Sequence, residues 1–91
     1  MDYAIDLAKS LDFKTYTEPE KKYGYIEYGT GEEIFAILGH LDVVPPGKIE
    51  EWKVHPFNPE IIDDILYGRG VLDDKGPTII ILYCLKYLKR P

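Results

Sequence analysis

Four prolines crowd the stretch "VVPPGKIEEWKVHPFNPE", residues 43–60, and no other feature of this 91-residue sequence limits its fold so sharply. Proline has no N–H for a ladder and biases the residue before it towards extended geometry, so the stretch must be irregular. Regular structure is confined to either side of it. On the N-terminal side, "MDYAIDLAKSLDF" sets Ala4, Leu7, Ala8 and Leu11 at helical spacing with Asp2 available as N-cap, which predicts an amphipathic helix of about three turns. After the polar "TYTEPEKK", the segment "YGYIEYG" carries β-forming aromatics, "GTGEE" is a glycine-rich turn, and "EIFAILG" is a continuous apolar run. A run without alternation is expected for a strand covered on both faces. The three together predict an antiparallel hairpin from about Tyr23 to Leu41, with Ile34–Leu38 as its buried strand.

On the C-terminal side, "IIDDILYGRG" gives two short apolar clusters around Asp63–Asp64, a turn or bulge. "KGPTIIILYCLKYLK" predicts a helix from about Pro77 to Leu88, with the proline tolerated in its first turn. Apolar residues surround nearly its whole circumference from Ile79 to Leu85, so it wants burial on several sides. A doubly covered strand and so apolar a helix exceed what one small chain covers by itself. The sequence reads as part of a larger α/β domain. Left uncovered, such surfaces predict self-association through apolar faces or sheet edges.

Composition narrows the function classes. Hydrophobic residues at 45% argue against disorder, and a net charge of −5 with no basic cluster beyond "KYLKR" argues against nucleic acid as partner. The longest apolar run spans about a dozen residues, where a membrane span needs about 20. A single cysteine, Cys84, makes no internal disulfide. With nothing resembling a signal peptide at the N-terminus, this favours a cytoplasmic location.

Two places offer chemistry. In "AILGHLDVVPPG", residues 36–47, the apolar run ends in His40 and Asp42, whose side chains leave a strand on the same face. The pair reads as a metal site, an acid–base pair or a satisfied polar pair at a strand tip. In "GRGVLDDKGP", residues 68–77, Asp73, Asp74 and Lys75 lie between a strand end and a helix start, where ligands sit in open α/β sheets. Zinc accepts nitrogen and oxygen ligands, so His40 with Asp73 or Asp74 is a sensible pair. Taken singly, an H-x-D is more often a surface hydrogen-bonded pair, and "DDKG" a turn and capping sequence.

Taken in order, "GHLDVVPPG", the tryptophan, "PFNP" and "LYGRGVLDDKGP" followed by an apolar helix resemble the co-catalytic zinc metallopeptidases related to dipeptidase V. That family also holds aminoacylase, carnosinase, acetylornithine deacetylase and carboxypeptidase G. The resemblance covers about Tyr23 to Leu88, and the proline after "DDKG" is most similar to the dipeptidase V branch. It implies an α/β fold, part of a three-layer αβα zinc-peptidase catalytic domain, and a reaction in which metal-activated water cleaves dipeptides or N-acyl amino acids. By its implication His40 ligates one of two zinc ions and Asp73 bridges both. Asp42 is then no ligand but hydrogen-bonds the imidazole, fixing its tautomer. Asp74 falls on a variable position, and the Asp73–Asp74 bond is a candidate cis peptide.

Family members run to several hundred residues, with a smaller lid or dimerisation domain inserted in the catalytic domain. The resemblance places the adjacent glutamate pair, a further acidic ligand and a second histidine beyond residue 91. Residues 1–91 are therefore expected to be the N-terminal portion of that catalytic domain, inactive alone and weak in zinc binding. The competing reading is a truncated, non-catalytic interaction module. Among the remaining residues, His55 reads as a loop residue and Trp52 as packing for the proline-rich stretch. Cys84 reads as a buried small hydrophobe, and the eight tyrosines as strand and core residues.

Overall fold

The computed structural model describes residues 1–89; Arg90, the last charge of "KYLKR", and Pro91 lie outside the described residues. The elements are helix α1 (Asp2–Ser10), strands β1 (Lys14–Thr17) and β2 (Gly24–Glu27), a 3-10 turn at Ile49–Glu51, strands β3 (Glu60–Ile62) and β4 (Ile65–Tyr67), and helix α2 (Lys75–Leu88). Helices and strands mix as the α/β reading expects. They fall into two compact units, Met1–Ile37 with the chain from Ile79 onward, and Leu38–Thr78.

In the first unit α1 buries Ile5 and Ala8. Asp2 does not cap it: Met1 is the N-cap, and the Asp2 carboxylate pairs instead with the Lys21 ammonium at 3.0 Å. From the first turn Asp2 still complements the helix dipole, as Lys9 does from the last. The helix stops at Asp12, whose φ of 62° is left-handed, with Asp12 N–H donating to the Lys9 carbonyl and Phe13 N–H to that of Ala8. These are the two bonds of a Schellman stop. The reversal delivers Phe13 onto Ala8 and Leu82, and Leu7, Leu11, Ile26 and Leu85 pack around that core. Strands β1 and β2 pair antiparallel, with Tyr16 opposite Tyr25 and their rings stacked 5.1 Å apart. A side chain at Gly24 would meet the Tyr16 carbonyl at 2.7 Å, so the pairing requires glycine there.

Two expectations are corrected in this unit. The hairpin from Tyr23 to Leu41 does not form: β2 pairs with β1, and residues 32–40 carry no strand pairing. Without a ladder partner or cover, Ile34, Phe35 and Leu38 are 88%, 90% and 98% exposed. Helix α2 begins two residues before Pro77 and buries Leu82 alone. Ile80, Tyr83, Tyr87, Leu88 and Cys84 are exposed, so the expectation of a buried Cys84 fails here. No helix among the described residues is long and apolar enough to cross a membrane.

In the second unit the proline-rich stretch is irregular and organised around Trp52. Its indole N–H donates to the Pro46 carbonyl at 2.9 Å, and the Arg69 guanidinium lies 4.9 Å over the ring. Val54 and Pro56 are buried beside it in sequence, and Arg69 N–H donates to the Pro56 carbonyl. Strands β3 and β4 form a tight hairpin in which Ile62 opposes Ile65. Asp63 and Asp64 both adopt left-handed φ values, 50° and 65°, as a two-residue hairpin turn demands. The chain then turns at Gly70 (φ 87°), whose carbonyl accepts the Lys75 N–H at 2.9 Å as α2 begins.

Candidate metal centre

The Leu38–Thr78 unit contains every candidate ligand, and it brings two of them together. His40 Nε2 lies 3.0 Å from Asp73 Oδ1, although the two residues are 33 positions apart in sequence. On the other side of the ring, Nδ1 lies 3.2 Å from Asp42 Oδ1 and 3.2 Å from the Asp42 carbonyl. Both neighbours of Nδ1 are acceptors, so that nitrogen carries a proton and donates, which leaves the Nε2 lone pair for a metal once Nε2 is unprotonated. His40 and Asp42 thus meet side chain to side chain, although residues 39–42 form no strand.

The third acidic residue points elsewhere. Asp74 Oδ2 accepts the main-chain N–H of His40 at 3.2 Å and the Thr78 hydroxyl at 3.2 Å, and that hydroxyl is also 3.2 Å from the His40 carbonyl. The Asp73–Asp74 peptide is cis. The consecutive carboxylates meet different partners, Asp73 the imidazole and Asp74 the backbone that carries it. Two glycines make room for this. A side chain at Gly39 would come within 2.8 Å of Thr78 Oγ1, and one at Gly76 would overlap the Val71 carbonyl oxygen.

Partial desolvation pulls the His40 pKa down, but the hydrogen bond to the Asp42 carbonyl and the carboxylates of Asp42, Asp73 and Asp74 outweigh it. The imidazole therefore holds its proton above the ordinary histidine value. The donors, one imidazole nitrogen and one carboxylate oxygen, are of the kinds zinc accepts. Two ligands of one tetrahedral zinc, each at about 2.1 Å, stand roughly 3.4 Å apart. The observed 3.0 Å needs only a small opening to reach that. Among the described residues no three His, Cys, Asp or Glu side chains converge as a cage; His40 and Asp73 would offer a metal two donors. His55 has no part in it; its Nδ1 accepts the Phe57 N–H in the proline-rich loop.

Thr78 and the main-chain role of Asp74 were not foreseen from sequence. The available signals were the four-residue spacing from Asp74 to Thr78, one helical turn, and a glycine directly before His40.

The sequence model of peptidase family M20/M25/M40 matches residues 36–91, and the chain belongs to this family. It is similar to proteins named "Putative dipeptidase" in three bacteria. The Staphylococcus saprophyticus protein is 44% identical over 90 residues, 99% of this chain and 19% of that protein. The Staphylococcus epidermidis protein is 43% identical over 90 residues, again 99% and 19%. The Bacillus subtilis protein YtjP is 48% identical over 66 residues, 72% of this chain and 14% of that one. The chain thus spans about a fifth or less of the length of the relatives it matches.

Proposed function

We propose that residues 1–91 are the N-terminal portion of the catalytic domain of a cytoplasmic di-zinc dipeptidase. His40 is a zinc ligand, Asp73 the carboxylate shared by the two ions, and Asp42 the group that orients the imidazole. One observation carries the reading: His40 Nε2 and Asp73 Oδ1 meet at 3.0 Å while Asp42 occupies Nδ1. Family membership and relatives with dipeptidase names support the substrate class, a dipeptide or an N-acyl amino acid. Family M20 is also generally metal-dependent.

Zinc bound here would lower the pKa of a coordinated water and polarise the scissile carbonyl. The chain's own residues prepare for that. Asp42 keeps the proton on Nδ1, so the ring presents Nε2 rather than the reverse. A carboxylate on Nδ1–H also makes the imidazole a stronger donor to a metal. Asp73, whose carboxylate is exposed, would hold such an ion beside His40 and supply negative charge to offset it. The general base is assigned to the adjacent glutamate pair that the family resemblance places beyond residue 91.

The test is hydrolysis of a dipeptide panel and an N-acyl amino acid panel by the intact protein. Chelation should abolish turnover and added zinc should restore it, whereas Asp73→Ala should not recover with zinc. Undiminished turnover after chelation, or in Asp73→Ala, would overturn the reading.

A further inference from the structure

We propose that Asp74 and Thr78 are positioning residues that clasp the main chain of His40 and so set where its imidazole stands relative to Asp73. The inference rests on the metal reading above and adds to it two residues that touch neither metal nor substrate. His40 has one main-chain donor and one main-chain acceptor, and both are engaged from the same place: N–H by Asp74 Oδ2 at 3.2 Å, C=O by the Thr78 hydroxyl at 3.2 Å. Thr78 also reaches Asp74 Oδ2 at 3.2 Å, which closes a ring of three contacts. A hydroxyl has one proton, so Thr78 shares it between the Asp74 carboxylate and the His40 carbonyl. Either arrangement ties the residue one helical turn into α2 to the histidine.

The reason such a clasp is needed lies in the local backbone. Residues 39–42 belong to no ladder, so no neighbouring strand fixes the position of His40. A ligand presented on unpaired backbone would wander by more than a metal's bond lengths tolerate. Within this chain the clasp holds the His40 backbone with two bonds, and their anchor is the residue next to the other ligand. Asp73 and Asp74 are consecutive, so one segment sets both the carboxylate facing Nε2 and the carboxylate holding the His40 backbone. Gly39 is the second, independent sign of a fitted contact: a Cβ there would stand 2.8 Å from Thr78 Oγ1 and 3.5 Å from Asp74 Oδ2. The approach is close enough to exclude a side chain.

The experiment uses the intact protein with two readouts, hydrogen exchange of the His40 amide without metal and zinc affinity by titration. Asp74→Ala should speed His40 amide exchange about three- to tenfold, the range of one ordinary hydrogen bond. The Phe13 amide, bonded to Ala8 at 3.1 Å, should not change. Zinc affinity should fall about tenfold, the lower end for groups that act behind a ligand. Thr78→Val, which keeps shape and loses the hydroxyl, should lower zinc affinity by several-fold. Thr78→Ser and Asp74→Asn, which keep a hydroxyl and an accepting oxygen, should restore both readouts, which separates positioning from mere packing.

Unchanged His40 exchange in Asp74→Ala would overturn the clasp. Faster exchange with wild-type zinc affinity would overturn its positioning role. If His40→Ala itself leaves zinc affinity intact, the metal reading fails instead, and the exchange data still decide the clasp.

Discussion

Residues 34–38 and residues 39–42 adjoin in sequence and differ in almost every physical respect. The first segment is apolar and bare, with Ile34, Phe35 and Leu38 turned to solvent and no ladder hydrogen bonds. The second is polar, yet His40 is engaged at both ring nitrogens and at both main-chain groups, all by residues of the Leu38–Thr78 unit. A strand's stability is non-local: it requires a neighbouring backbone for its ladder, and an unbroken apolar run also wants cover on both faces. The cluster around His40 needs only Asp42, the 73–74 segment and Thr78 at the start of one helix. The candidate site is thus assembled from contacts within the Leu38–Thr78 unit, whereas Ile34, Phe35 and Leu38 find neither ladder nor cover within residues 1–89.

The largest expected departure comes from spoiling the turn beneath the cluster. Gly76→Ala sets a methyl group against the Val71 carbonyl. It should destabilise the fold towards the upper end of the ~1–3 kcal/mol typical of overpacking. Thermal or urea unfolding reads this directly, and a neutral result would show that the 70–76 turn is not held as described. Next, Asp42→Asn should weaken zinc binding about 10- to 100-fold with the fold intact, as expected for a group that orients a ligand. The same substitution removes the negative carboxylate beside Nδ1, so NMR titration of the metal-free protein should show the raised His40 pKa moving down. Because that pKa is raised on folding, the pairing stabilises the fold fully at pH values below the ordinary histidine value. The contribution is lost as the pH rises through the raised one.

The smallest expected effect sharpens the contrast from the other side. In the 91-residue chain alone, Phe35→Ser should change stability by no more than about 0.5 kcal/mol, as at an ordinary exposed position. It should also reduce self-association in sedimentation runs over a range of concentrations. In the intact protein the same change should cost about 3–5 kcal/mol if later chain covers the run. A large loss in the short chain would mean that Phe35 is already buried there.

What could be read from sequence follows the same division. Local chemistry was legible: α1 from the spacing of Leu7, Ala8 and Leu11, the turn at Asp63–Asp64 from the residues that tolerate left-handed backbone, and the irregular stretch from its prolines. The candidate site was legible as an ordered set of short motifs, which also led to the family that residues 36–91 match. Partner choice was not. Nothing in "YGYIEYG" says whether it meets residues 34–38 or residues 14–17, and most of β1, "KTYT", lies in the polar "TYTEPEKK". Likewise Cys84 lies in an apolar helix, and only the packing of α2 on Phe13 and Ala8 through Leu82 decides which face is covered. Asp74 looked like a variable neighbour of Asp73 because its role, holding the His40 backbone, is invisible without the fold.

The central claim is that His40 and Asp73 share one metal ion, and zinc titration of the intact protein across a double-mutant cycle tests it most directly. His40→Ala and Asp73→Ala should each lower zinc affinity by more than about 100-fold, beyond what an orienting group contributes. The double variant should lose little more than either single one, because ligands of the same ion act as a unit. Wild-type affinity in either single variant, or losses that simply add, would contradict the account.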